Sequence, residues 1–349
     1  MLDTDTKSPE SIRVACVENP KMRERDLAHK LGISEAELVA AHVGHGAIRI
    51  NAHPDAIMKQ AEKLGEVLAL TRNESCVIER VGVYDNYHSG AHAAMILNSE
   101  IDLRIFAKFW VSAFAVEKKT ESGVRRSLQV FSGTGMAMHK IHLRDDSNHA
   151  VWEDVVSALR LDDQSDSLEV KPRGAPEEPK ADPAKADQLR AGWDDMTDTH
   201  QFMRLTSRLK MNRLGAYRIV GAPYVKLMEN EAVERALEKI SERKSGVMVF
   251  VGNRGCIQIH GGLVETLRPM GPWINVMDER FNLHLRGDHI AETYVVTKPT
   301  QQGDAVSLEA FDAEGRIILQ IFPDRRSDEN NAKIWDEIVA ELPQKGADA

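Results

Sequence analysis

The sequence predicts an α+β protein built as a tandem duplication, each half a large antiparallel β-sheet with packed helices. Three observations carry this expectation. The chain matches itself at an offset of 180 residues (67 to 247), a Pro- and charge-rich stretch separates the copies, and each copy passes from helix-period to strand-period patterning.

At that offset Val67, Asn73, Cys76 and Gly82 fall on Val247, Asn253, Cys256 and Gly262. The register continues with Leu103 on Leu283, Val116 on Val296, Lys118 on Lys298, Phe131 on Phe311, Gly135 on Gly315 and Ile141 on Ile321. After three extra residues, VWEDVVSAL reappears as IWDEIVAEL, with Trp152 over Trp335. So long a fixed offset indicates duplication of a whole domain rather than a short solenoid repeat. Residues 161–190 carry Pro172, Pro176, Pro179 and Pro183, abundant charge and no aromatic residue. Such a stretch cannot build a core and reads as a linker with freedom to move. The expected domains are an N-terminal repeat over 1–160, the linker over 161–190, and a C-terminal repeat over 191–349.

Each half opens helically. RERDLAHKLGISEAELVAAHV has apolar residues at three- and four-residue spacing, interrupted by Gly32, and Ser34 followed by Glu37 has the form of a capping box. THQFMRLTSRLKMNRLGAYRIV and NEAVERALEKISERK supply the matching helices of the second half. Strands follow: EVLALTRN, AAMILN, DLRIFAKFWVSAFAVEKK, RRSLQVFSG and MAMHKIHLR, then GVMVFVGN, CIQIHGG, PWINVMD, FNLHLR, AETYVVTKP, AVSLEAFD and RIILQIFPD. Short connections rich in Gly, Asn and Asp favour antiparallel pairing, and the terminal helices around Trp152 and Trp335 are expected to close one face.

Composition narrows the function classes. The 349 residues are 42% apolar and 28% charged with a net charge of −9, an ordinary globular balance without the excess positive charge of a nucleic-acid binder. DLAHKLGISEAELVAAH imitates a helix-turn-helix, but its second helix offers Glu35 and Glu37 where a DNA reader presents basic residues, so nucleic acid is not the primary partner expected. No stretch approaches the roughly 18 to 20 apolar residues of a membrane span, and MLDTDTKSPE has neither the basic start nor the apolar segment of a signal peptide. A cytoplasmic protein without stable membrane insertion is expected. Cys16, Cys76 and Cys256 are too few and too scattered for a disulfide framework or a thiolate metal cluster.

Candidate site residues come from asymmetry between the halves, since a duplicated scaffold needs no functional residue in both copies. Arg104 stands opposite His284, and no histidine stands clearly opposite His200. In WDDMTDTHQFMRL, Thr197 or Asp198 is placed to cap the next helix, leaving the His200 imidazole at its first turn as a base, a metal ligand or a capping participant. The 13 histidines form no zinc-type spacing, and phosphate-loop and nucleophile-elbow patterns are absent. Phe106, Phe109, Trp110 and Phe114, with Phe202, Met203, Met211, Trp273 and Met277, are core residues or the lining of a pocket. Arg213, Lys298 and Arg325 are solvated surface charges or, in combination, partners for the carboxylates of a flat apolar ligand.

Segments in fixed order then carry a resemblance. GVYDNYHSG, DLRIFAKFWVSAFAVE, TDTHQFMRLTSRLKMNR, GVMVFVGNRGCIQIH, PMGPWINVMDERFNLHLR and the final strands resemble bacterial cytoplasmic haem-utilisation proteins of the HemS/ChuS/HmuS type, from about residue 20 through 326. The resemblance implies a tandem duplicate with one haem in a cleft between the halves. It implies that His200 in TDTHQF is the proximal iron ligand and that Arg104 in DLRIF is the distal arginine, acting through water. Arg213 in MNR, Lys298 in VVTKP and Arg325 in FPDRR match basic positions around the propionates.

The function implied is handling of imported haem b, received from an inner-membrane haem importer and transferred intact to an acceptor such as a downstream haem oxygenase, for iron acquisition. The alternative is a haem oxygenase-like haemin-degrading enzyme that opens the porphyrin with oxygen and frees the iron, with His200 and Arg104 as its catalytic residues. No flavin or nicotinamide domain is recognisable, so that enzyme needs an external reductant, supplied by a cellular reductase.

Overall fold

A computed structural model of the protein describes residues 7–121, 123–324 and 330–346. The chain forms two compact units, one of Met1–Arg72, Ile78–Gly174 and Gly252–Gln258, the other of Asn73–Val77, Ala175–Val251 and Ile259–Ala349.

The first unit begins with α1 (Pro9–Glu18), α2 (Glu24–Leu31) and α3 (Glu35–Ala40). Gly32 ends α2 in the left-handed region at φ 65°, and the expected capping box starts α3: Ser34 Oγ accepts from Glu37 N at 3.2 Å while Ser34 N donates to Glu37 Oε2 at 2.7 Å. Nearly every residue of α3 is buried, with Ala36, Val39 and Ala40 packed on Phe114, Phe131 and Ala137. The second helix of the helix-turn-helix imitation is thus packed in the core with no exposed reading face, whereas the first buries only Leu27 and Ala28.

Next come β1 (Ala47–Ile50), α4 (Pro54–Ala61), β2 (Val67–Arg72), β3 (Cys76–Gly82), β4 (Tyr87–His88), β5 (Ala94–Leu97), β6 (Asp102–Ile105), β7 (Ser112–Thr120), β8 (Gly123–Phe131), β9 (Ala137–Leu143) and α5 (Trp152–Leu159). The main sheet of this unit runs β1-β7-β8-β9-β2-β3, with β6-β5-β4 as a smaller ladder. DLRIFAKFWVSAFAVEKK, expected as one run, is two strands broken by a 3-10 turn at Ala107–Phe109. Under the first residue of α3 lies a buried ion cluster in which Glu35 receives both Arg72 and Lys140.

The second unit repeats the plan. It contains α6 (Ala186–Asp194), α7 (Gln201–Leu209), α8 (Arg213–Val220), β10 (Val225–Met228), α9 (Ala232–Arg243), β11 (Val247–Gly252), β12 (Cys256–Gly262), β13 (Trp273–Met277), β14 (Phe281–Arg286), β15 (Glu292–Lys298), β16 (Ala305–Phe311), β17 (Ile317–Pro323) and α10 (Asn331–Ala340). Its main sheet runs β10-β15-β16-β17-β11-β12, and β13 pairs antiparallel with β14. Trp193, Phe202 and Tyr217 of the three leading helices pack on Tyr294, Val296 and Phe311 of the sheet. Trp335 of α10 is buried as Trp152 of α5 is.

Residues 161–182 hold no helix or strand, whereas α6 already begins at Ala186. The stretch is nevertheless tied down. In the first unit the Gln164 side-chain amide pairs with the backbone of Arg49 at 3.0 and 2.9 Å. In the second unit Asn212 bonds to Glu178 and Lys180, and the chain passes so close to α8 that a Cβ on Gly215 would lie 1.9 Å from the Lys180 carbonyl oxygen.

Candidate functional site

α7 is amphipathic, burying Phe202, Leu205, Thr206 and Leu209 and leaving Met203 exposed. Phe202 is wedged between Trp193 and Tyr217, with ring centroids 5.0 and 5.5 Å away, which fixes the start of the helix. His200 occupies the N-cap position itself, where Thr197 or Asp198 was expected. Thr197 instead bonds through Oγ1 to the Gln201 side-chain amide at 3.1 Å, and Asp198 turns back on His200.

The Asp198 carboxylate accepts from the His200 backbone N–H at 2.7 Å and lies 2.6 Å from its Nδ1. Those two bonds, the backbone one first, hold the Asp198 carboxyl below its ordinary range. An ionised carboxylate only accepts, so Nδ1 carries a proton and Nε2 is the nitrogen left for another partner. The His200 side chain is 92% exposed. An imidazole whose Nδ1 is held by a carboxylate is therefore offered outward, the preparation a metal-ligating histidine receives.

Arg213 opens α8 behind the Asn212 cap and reaches a cluster that sequence reasoning missed. Its Nη1 lies 2.9 Å from Glu309 Oε2, Lys298 Nζ lies 3.0 Å from Glu309 Oε1, and Tyr217 and Ser307 donate to the same carboxylate at 3.0 and 2.9 Å. Burial opposes the Glu309 charge, but Lys298 and Arg213 outweigh it and hold the carboxyl down to about 2. Lys298 is only 4% exposed, its ammonium spent on Glu309 and the Tyr217 hydroxyl, whereas the Arg213 side chain is 25% exposed. Two cations against one carboxylate leave one positive charge, and Arg213 is the member that carries it outward. Arg325 lies outside the described residues.

Strand register gives the neighbouring surface. Met248 opposes Phe322, and Gln320 opposes both Phe250 and Glu309, which puts these side chains on one face of the second unit's sheet. Phe250 and Phe322 meet edge to face at 5.3 Å and are half-buried. Neither was singled out in the sequence, although alternation in GVMVFVGN and RIILQIFPD carries the signal.

Arg104 belongs to the first unit, on β6 opposite Met95. Its Nη1 donates to the Asp102 carboxylate and to the Leu103 carbonyl at 3.1 Å, and the side chain is about one-third exposed. Of the aromatic and methionine candidates, Trp110, Phe114, Phe202 and Met211 are core residues, Phe106, Phe109 and Trp273 are half-buried, and Met203 and Met277 are exposed.

The family model described as the haemin-degrading HemS.ChuX domain matches this chain twice, over residues 32–159 and 210–342. The chain belongs to the HemS family. The double match corresponds to the duplicated α+β fold, and Arg104, Arg213 and Lys298 fall within it while His200 lies between its two stretches. Among HemS-family relatives, the hemin transport protein HmuS of Yersinia pestis is 39% identical, over 95% of this chain and 96% of the relative. Holo-PhuS, a heme-binding protein from Pseudomonas aeruginosa, superposes with a TM-score of 0.92 at 36% identity, covering 97% and 99% of the two chains. The heme degrading enzyme ChuS of Escherichia coli O157:H7 gives a TM-score of 0.88 at 34% identity, covering 97% and 99%.

Proposed function

We propose that this chain is a cytoplasmic haem-binding protein that takes up imported haem through His200 and passes it intact to an acceptor for iron acquisition. The observation that carries this reading is the Asp198–His200 pair, an imidazole held at Nδ1 by a carboxylate, whose Nε2 faces outward at a helix start. The rest of the donor set suits the same ligand. Arg213 offers one uncompensated positive charge for a propionate, and the half-buried Phe250–Phe322 face suits a flat apolar macrocycle. Lys298 enters through Glu309, bracing the cluster from below, and Arg325 is proposed as a further propionate partner from its sequence position alone. The names of the relatives, hemin transport and heme-binding, support this assignment.

Haem b, when bound, would bring an iron for His200 and two carboxylates for the basic residues. Arg104 is proposed as the distal residue. A guanidinium stays protonated and is no ordinary iron ligand, so its role is to hold a water or a developing negative charge. An inner-membrane importer and a downstream haem oxygenase are the proposed donor and acceptor.

The second reading, a haemin-degrading enzyme drawing electrons from a cellular reductase, is favoured by the heme degrading relative and by that distal arginine. One experiment separates them. Wild type and His200→Ala are titrated with haem anaerobically, then given oxygen and a reductase with catalase present, while the Soret band and the tetrapyrrole are followed. Intact haem passed to an acceptor supports the carrier, and conversion to a defined open tetrapyrrole supports the enzyme. An unchanged titration in His200→Ala sinks the ligand assignment.

A further inference from the structure

The duplication contains its own control, and it isolates one group of buried polar residues in the first unit. Tyr84 hydroxyl meets His139 Nε2, His139 Nδ1 lies 2.8 Å from Thr71 Oγ1, and Thr71 Oγ1 donates to Cys256 Sγ at 3.6 Å. Trp110 stacks on the imidazole, with centroids 6.3 Å apart and planes at 16°. All five residues are buried. At the offset of 180 the second copy places Val264 for Tyr84, Leu319 for His139, Val251 for Thr71 and Ile290 for Trp110, and these are buried too. The same fold is therefore closed by hydrocarbon in one unit and by a hydrogen-bonded chain in the other. Burying polar groups is costly unless every bond is made, and packed aliphatic residues are often as stable or more so. Packing does not account for the polar set.

One assignment of protons satisfies these bonds, with Cys256 Sγ also 3.9 Å from His139 Nδ1. Thr71 directs its hydroxyl proton at Cys256 Sγ, so Oγ1 accepts from His139 Nδ1–H. The lone pair on Nε2 then accepts the Tyr84 O–H. A phenol hydrogen-bonded to a neutral imidazole base, screened from water and flanked by an indole, is the arrangement in which a tyrosine gives up an electron and its proton together.

We infer that Tyr84 and His139 form a redox-active pair. In its reaction Tyr84 gives one electron to a one-electron oxidant and its phenolic proton to His139 Nε2, leaving a neutral tyrosyl radical beside an imidazolium. Return of one electron and that proton restores the phenol. The oxidant class this chain meets is haem oxidised by hydrogen peroxide. Only that last statement rests on the proposed haem binding; the pair itself rests on the first unit's geometry.

The test uses the full-length, haem-free chain with photogenerated tris(bipyridine)ruthenium(III), followed by freeze-quench electron paramagnetic resonance. A neutral tyrosyl signal is expected, formed more slowly in D2O. It is lost in Tyr84→Phe and in Tyr84→Val with His139→Leu, a variant that takes the second copy's residues at these two positions and whose fold is checked by circular dichroism. A tyrosyl signal that persists in these variants, or none in the wild type, overturns the pair, and a purely structural role predicts the same. Peroxide added to the haem-loaded chain is expected to yield the same Tyr84 signal. Its absence there, after the ruthenium experiment succeeds, removes haem as the oxidant. Failure to load haem refutes the proposed function and leaves the ruthenium result standing.

Discussion

Asp198 Oδ1 receives both the backbone N–H and the ring Nδ1–H of His200, at 2.7 and 2.6 Å. One oxygen thus holds the backbone turn and the imidazole ring together. Asp198→Ala releases both, and the expected result is haem binding weakened by about 10- to 100-fold, the usual cost of losing a ligand's outer partner. Haem titration by the Soret band checks it, and unchanged affinity would remove Asp198 from the site.

Arg213→Gln takes away the outward positive charge of the Glu309 cluster. Haem affinity is expected to fall by about ten-fold or more, in line with a charged hydrogen bond. Haem dimethyl ester, which lacks the carboxylates, should bind wild type and variant alike. An equal loss for both ligands would show that Arg213 acts through the fold.

Glu309→Gln leaves the buried Lys298 ammonium without its counter-charge and is expected to cost about 3–5 kcal/mol in urea unfolding. In the folded chain the Glu309 carboxyl is held down to about 2 from its ordinary 4.5. Its contribution is therefore complete above the unfolded value and is lost as pH falls from about 4.5 towards 2. The wild-type stability-against-pH curve should show this acid limb and the Glu309→Gln curve a shallower one.

Gly215→Ala adds a methyl group where the Lys180 carbonyl passes, and the clash is with backbone, which has no rotamer to yield. A loss of about 1–3 kcal/mol is expected, with residues 178–180 displaced from α8. Faster proteolytic cleavage near Lys180, without loss of helical circular dichroism, is the corresponding readout.

The duplication was the most legible feature because its punctuation survives in both copies. Strands β2 and β11, β3 and β12, and β9 and β17 keep the offset of 180 at both ends. The four-residue strands β1 and β10 went unread, being too short for alternation to distinguish them from the loops after α3 and α8. His200 and Asp198 were visible as neighbours, though not which would cap the helix. Glu309 was invisible for a physical reason: in SLEAF it looks like the solvent-facing member of an alternating strand, and its partners Lys298 and Arg213 come from another strand and a helix. Tyr84 and His139 had a signal, the aliphatic residues opposite them in the second copy, but the contrast acquires meaning only once both sets are seen to be buried.

The buried clusters under α3 and α8 have opposite wiring. Glu35 follows the Ser34 cap and gathers Arg72 and Lys140, whereas Arg213 follows the Asn212 cap, at an offset of 178 (35 to 213), and reaches Glu309 and Lys298. The two halves have therefore ceased to be interchangeable parts. A chimera that carried the arginine into the first copy would trap three cations beneath one helix, and the reciprocal graft would set two carboxylates against each other. Each half has become a lock for its own key, so any recombination between the copies has to move a helix start and its strands as a single piece.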